Sequence, residues 1–259
     1  MCLLAVLSHT VPGAPLMVAA NRDELLTRPS VSMTVLNAGS PRILGGRDSV
    51  AKGTWLAVNE HGVVAGLTNL PNPSGTDASK KSRGELPLLA AGHTTAESAA
   101  RTLGRELRAE QYNPCWLLIA DRHGVFYLDV TGFGAPGFVG LGRGAWILEN
   151  RPILSDSPKA DSVRLAFSRA DGLDGDTWAQ GLHDVMKSHE VPERAKRTPA
   201  SVRPLETEAP CVHAGPYGSR SSMYVRVLAE GLPDVRFTDG PPCTASLVGG
   251  NALWKSDGL

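Results

Sequence analysis

Cysteine is sparse in this chain, and where it occurs it is dispersed. The four cysteines stand at 2, 115, 211 and 243, with no CxxC spacing. That pattern argues against a disulfide framework and against a zinc site, and reads as reduced thiols in a reducing compartment. None of the seven histidines forms an HxxxH or HxH pair, so the spacing predicts no metal centre. Net charge is also missing. Lys plus Arg equals Asp plus Glu at 26 each, which removes the electrostatic case for nucleic acid or an anionic membrane as the main partner. No run approaches the roughly 20 apolar residues of a membrane span. The apolar opening Cys2-Leu3-Leu4-Ala5-Val6-Leu7-Ser8 lacks a basic flank and is broken by His9, so it reads as a buried first strand rather than a signal peptide. Internal repeats and low-complexity tracts are absent. A soluble, cytoplasmic protein is the expectation.

What is present is enough apolar sequence for a core: 42% of 259 residues, sufficient for one sizeable domain over 1–259. Short β-like runs are Leu3 to Leu7, Pro15 to Ala20, Thr54 to Val58, Val63 to Thr68, Trp116 to Ala120, Val125 to Val130, Met223 to Leu228 and Val235 to Thr238. Asn59-Glu60-His61-Gly62 and Asp121-Arg122-His123-Gly124 have hairpin-loop chemistry, which makes their flanking strands antiparallel. Thr94 with Glu97 forms a capping box, followed by an apolar stripe of Ala99, Leu103 and Leu107. Further helices are expected over Asp161 to Ala170 and Asp176 to Lys187, and near Arg83-Gly84-Glu85-Leu86. Val191 to Pro210 reads as a long surface excursion. Strands at both ends with helices between them imply an α+β sandwich, sheet on sheet with helices outside.

The chemistry begins at Cys2. Initiator methionine is normally trimmed before a small residue, which would leave a thiol and a free α-amine on one residue. An α-amine titrates near about 8 and can take the thiol proton. The strand Leu16-Met17-Val18-Ala19-Ala20 runs straight into Asn21-Arg22-Asp23-Glu24, delivering polar groups to a sheet rim. If the first two strands pair antiparallel, Cys2 lies close to Arg22 and Asp23. Arg22 could then lower the thiol pKa, and Asp23 could hold the α-amine. Gly53-Thr54-Trp55-Leu56 reads as core, with Trp55 packing between layers.

Met1-Cys2, Asn21-Arg22-Asp23-Glu24, Arg28-Pro29-Ser30, Gly46-Arg47-Asp48, Gly53-Thr54-Trp55-Leu56, Leu67-Thr68-Asn69, Arg83-Gly84-Glu85-Leu86, Tyr112-Asn113, Leu148-Glu149-Asn150 and Tyr217-Gly218-Ser219-Arg220-Ser221-Ser222 together resemble the NRDE family. That family includes the eukaryotic transport and Golgi organisation protein 2, and the likeness runs from Cys2 to about Phe237. The family is similar to N-terminal-nucleophile hydrolases of the conjugated bile acid and penicillin V acylase type. The resemblance implies a four-layer αββα sandwich of antiparallel sheets and a site at Cys2, Arg22, Asp23, Asn69, Asn150 and Arg220. In the acylases the early Arg and Asp are two residues further apart, so the adjacency of Arg22 and Asp23 is a departure.

In that site the side-chain amides of Asn69 and Asn150 are suited to an oxyanion. Arg220, in a loop of small residues, can approach a charged or polar group. The expected activity is cleavage, or acyl transfer, of an amide on a small or lipid-like molecule through a Cys2 thioester, with no cofactor. The alternative is a non-enzymatic carrier of haem or an acyl ligand, with His213 as a pocket or haem-proximal residue. Cys115, Cys211 and Cys243 are expected to be buried or incidental.

Overall fold

The computed structural model describes residues 2–72, 75–197 and 204–256. Strands β1 (Cys2–Val11) and β2 (Ala14–Leu25) open the chain, followed by β3 (Ser30–Asn37), β4 (Ile43–Asp48), β5 (Leu56–Asn59) and β6 (Val64–Asn69). Helices α1 (Leu86–Ala91) and α2 (Ala96–Glu106) lead to β7 (Cys115–Ala120), β8 (Val125–Val130), β9 (Val139–Leu141) and β10 (Gly144–Leu148). Helices α3 (Pro158–Ser168), α4 (Trp178–Met186) and α5 (Glu193–Lys196) precede β11 (His213–Ala214), β12 (Tyr217–Val227), β13 (Asp234–Thr238) and β14 (Leu247–Gly249).

Two antiparallel sheets result. One runs β10-β1-β2-β12-β13-β14 with β11 beside β12, and the other runs from β3 through β9 in chain order. The first strand explains the layering. Successive side chains of a strand point to opposite faces, and both faces of β1 are apolar. Leu4 and Val6 enter the core between the sheets, while Leu3, Ala5 and Leu7 pack under α3 and α4 with Val163, Phe167, Trp178 and Leu182. The second sheet repeats the logic. Val64, Trp116 and Leu118 face inward, and Ala65, Leu67, Leu117 and Ile119 face α1 and α2. The layers therefore stack α, β, β, α, the architecture of an N-terminal-nucleophile hydrolase-like fold.

Both hairpins form where turn chemistry placed them. The Asn59 side chain accepts from the backbone N–H groups of His61 and Val63, and Gly62 takes φ +87°, a conformation that favours glycine. Asp121 does the same for His123 and Gly124. Three expectations need correction. The cap of α2 is Thr95, which accepts from the Ser98 N–H, rather than Thr94. Strands β3, β4 and β10, absent from the sequence reading, carry Gly or polar residues that dilute period-two patterning. Arg220 lies inside β12, not in a loop before it, because a bulge between Ser219 and Ser221 keeps the strand going. The segment Val191 to Pro210 contains α5 and a turn of 3-10 helix at Leu205–Glu208; residues 198–203 of it lie outside the described residues.

Candidate active site

Pairing of β1 with β2 sets Cys2 opposite Arg22 and Leu3 opposite Asn21. The polar tetrad is not a solvated rim. Asn21, Arg22 and Asp23 are all buried within β2, and alternation divides their tasks. Arg22 points inward with Cys2, its guanidinium 4.7 Å from the centre of the Trp55 ring and its Nη2 donating to Asp48 Oδ2 at 2.7 Å. Asp48 also accepts from Arg28 at 2.7 and 3.1 Å and from the backbone N–H groups of Val50 and Ala51. Burial pushes the Asp48 carboxyl up, but the Arg28 and Ala51 hydrogen bonds and the two guanidinium charges outweigh it and bring it to about 2. Gly46 completes the unit, since a Cβ there would stand 2.1 Å from the Trp55 ring.

Asn21 and Asp23 point the other way, toward the helices. Asn21 Nδ2 donates to the carbonyls of Met186 and Pro210, both at 2.9 Å, and its Oδ1 accepts from Ser222. It is a clamp between sheet and helix layer. The Asp23 carboxylate accepts from the Ser219 hydroxyl, and its backbone carbonyl accepts from Tyr217 at 2.8 Å. Burial raises the Asp23 pKa against the opposing charge of Lys159.

The second sheet meets the first near Cys2 through two contacts of neighbouring residues. Leu4 packs on Gly66, where a Cβ would lie 2.8 Å from the leucine. Asn150, just past β10, donates from Nδ2 to the Asn69 carbonyl at 2.5 Å. Carrying the register of Leu4 with Leu148 two residues further brings Asn150 level with Cys2. Cys2, Arg22, Asn69 and Asn150 are thus brought to one end of the sandwich. Arg220 is held apart, bonded through Nη1 to the Leu26 carbonyl, two strands from Cys2 or about 10 Å across the sheet. His213 is not brought to Cys2 at all, because its Nε2 meets Cys243.

Cys2 is half-buried and packs against the inter-sheet core. Burial raises its thiol pKa most and Asp23 raises it further, while the N-terminal charge, then Arg22 and the Asp23 backbone N–H, pull it down by less. Arg22 pulls the thiol pKa down, the direction expected of it, but desolvation of a thiolate outweighs one guanidinium already shared with Asp48. Several buried polar atoms have no hydrogen-bond partner, among them Nη1 of Arg22, the residue paired with Cys2, and Thr68 Oγ1, Asn69 Oδ1 and Trp116 Nε1 on the second sheet. Thr68 and Trp116 face each other across β6 and β7. A cavity of about 520 Å³ lies elsewhere, between Leu7 to Pro12 of β1 and its turn and Phe167 to Asp174; Cys2 is not among its lining residues. Sequence alone gives Asp48 and Ser219 no role and Trp55 only a packing role, although Gly46-Arg47-Asp48 and Gly53-Thr54-Trp55 carry the signal for Asp48 and Trp55.

A family model described as Transport and Golgi organisation 2 matches residues 1–239. The chain belongs to that family. It is 28% identical over 243 residues to the Transport and Golgi organization protein 2 homolog of Homo sapiens, covering 86% of this chain and 85% of the human protein. The Mus musculus homolog is 27% identical over 242 residues, with the same coverage of 86% and 85%. Among solved structures, the chain is similar to the mutant C2A conjugated bile acid hydrolase from Clostridium perfringens, with TM-score 0.53 and 12% identity over 100% of this chain and 96% of that one. It is also similar to the Caenorhabditis elegans N-acylethanolamine-hydrolyzing acid amidase ortholog, with TM-score 0.52 and 10% identity over 86% of this chain and 92% of that one. At such identities the likeness is one of fold.

Proposed function

We propose that this family member is a cysteine amidohydrolase or acyltransferase acting on an amide of a small or lipid-like molecule. The observation that carries the reading is the pairing of Cys2 with Arg22, whose Nη1 is buried without a hydrogen-bond partner, together with the unpartnered Oδ1 of Asn69, the residue Asn150 ties to this end of the sandwich. Each buried, unsatisfied group costs about 1–3 kcal/mol, and a bound amide offers both an acceptor and a donor to relieve it. Loss of Met1 would place an α-amine on Cys2. The thiol proton passes to that amine as sulfur bonds to the substrate carbonyl carbon. Arg22 and the Asn150 amide face the oxyanion, and Asn69 Oδ1 suits the N–H of the scissile amide. Collapse breaks the C–N bond, the proton goes to the leaving amine, and the acyl group remains as a thioester. Water then releases the acid, or a second amine accepts the acyl group. Asp23, buried behind the strand, is suited to positioning the α-amine, and Arg220 to the polar end of the substrate. Leu25 and Leu26, each about half exposed at the end of β2, add apolar surface beside that rim. The two amide-cleaving neighbours share the fold and are consistent with this chemistry.

Intact-mass spectrometry before and after a cysteine-reactive acyl probe tests the reading, with Cys2→Ala as control. The expected result is a chain lacking Met1 and a single adduct that the control loses. Retained Met1, or labelling indifferent to Cys2, sinks it and favours the non-enzymatic carrier of haem or an acyl ligand.

A further inference from the structure

A second cluster of side chains converges on the outer face of the first sheet. His189 follows α4, Cys211 and His213 bracket Val212 at the entry to β11, and Cys243 lies in the turn after β13. One ligand atom from each lies within 4.8 Å of the others, and His213 Nε2 is 3.2 Å from Cys243 Sγ. A tetrahedral ion with two sulfur and two nitrogen ligands has ligand-to-ligand edges of about 3.4–3.8 Å, so shifts of about 1 Å or less close the set.

The surroundings already orient the ligands. The His189 Nδ1–H donates to the Cys211 carbonyl at 3.0 Å, which leaves Nε2 with the free lone pair, the arrangement found around metal-bound histidines. The His189 and His213 rings meet edge to face, with centroids 4.7 Å apart and planes at 86°, so neither ring covers the other. Cys211 N–H donates to the Ser188 carbonyl at 2.9 Å, fixing its strand beside His189. A set of two thiolates and two imidazoles without a carboxylate selects zinc over calcium or magnesium.

We propose that His189, Cys211, His213 and Cys243 bind one Zn²⁺ ion in a tetrahedral, structural site. Four protein ligands leave no open position for a reactive water, hence the structural assignment. Binding forms two zinc–sulfur bonds and releases the two thiol protons to solvent. The ion staples three separate segments, and the Cys211 to His213 segment connects through Ser219 to Asp23. Val212 N–H donates to Ser219 Oγ and Ser219 N–H to the Val212 carbonyl, both at 2.9 Å, and the same Ser219 hydroxyl donates to Asp23. Ligand spacing hid the site, because its members come from three segments rather than one motif.

The test is titration of the reduced, full-length chain with Zn²⁺ and, as a spectroscopic probe, Co²⁺, with metal content measured on the purified protein. One equivalent should bind, and cobalt should give the thiolate charge-transfer and visible bands of a tetrahedral complex. Cys243→Ser and the exposed His213→Gln should each weaken cobalt binding by more than about tenfold, with circular dichroism unchanged, and Cys2→Ala should bind like wild type. Failure of the reduced wild-type chain to bind either ion, or binding that both substitutions leave untouched, overturns the proposal. Neither result bears on Cys2 acylation, so the two readings fail separately.

Discussion

Arg22 and Asp23 are neighbours in sequence and strangers in space. The pleat sends the guanidinium into the core between the sheets and the carboxylate into the helix layer, and their opposite charges perturb Cys2 in opposite directions. Arg22→Gln removes a charge that pulls the thiol down, and Asp23→Asn removes one that pushes it up. At neutral pH the first substitution should slow reaction of Cys2 with a thiol reagent and the second should speed it, as read from labelling rates against pH. Asp48 governs stability rather than reactivity. Its folded pKa, depressed from 3.8 to about 2, means that its contribution is present above the ordinary carboxylate range and disappears as pH falls through the folded value. Asp48→Asn strands a buried Arg22 and should cost about 3 kcal/mol. Urea midpoints should fall at pH 7, while the acid-limb loss between those two values should shrink relative to wild type.

Elements meet here through missing side chains. A Cβ on Gly84 would stand 2.9 Å from the Gly53 Cα, backbone that cannot step aside, and Thr54 N–H donates to the Gly84 carbonyl at 2.9 Å. That contact seats the turn before α1 against the approach to β5. Gly84→Ala should therefore destabilise by about 1–3 kcal/mol, measured by chemical denaturation. Thr95→Ala, which removes the α2 cap, should cost about 1 kcal/mol. Much of the element plan was legible beforehand. The apolar runs of β1, β2, β6 and β7, the stripe of α2 and both hairpin turns follow from local pattern. Strands β4 and β10 were not legible. Gly45 and Gly46 look like a turn until the Leu56 carbonyl and the Trp55 ring are seen to occupy the space that side chains would need.

At the scale of the molecule the candidate site is where two sheets touch. Cys2 and Arg22 come from one sheet, Asn69 and Thr68 from the other, and Asn150 joins them from the chain that leaves β10. Asn150→Ala should lower Cys2 acylation roughly a hundredfold, with a loss of stability near 1 kcal/mol from the Asn69 carbonyl left unpartnered; acylation kinetics and thermal melts separate the two effects. The sequence by itself carried the family resemblance in its ordered motifs, and it determined the α+β sandwich class and, given antiparallel pairing of the first two strands, the closeness of Cys2 to Arg22, because strand patterning and a short β1–β2 connection are local properties. Only the tertiary structure decided that Arg22 and Asp23 serve opposite faces, that burial outweighs Arg22 at the Cys2 thiol, and that His189, Cys211, His213 and Cys243 meet. Desolvation depends on everything packed around a group, and a cluster drawn from three segments exists only once sheet and helices have closed on each other.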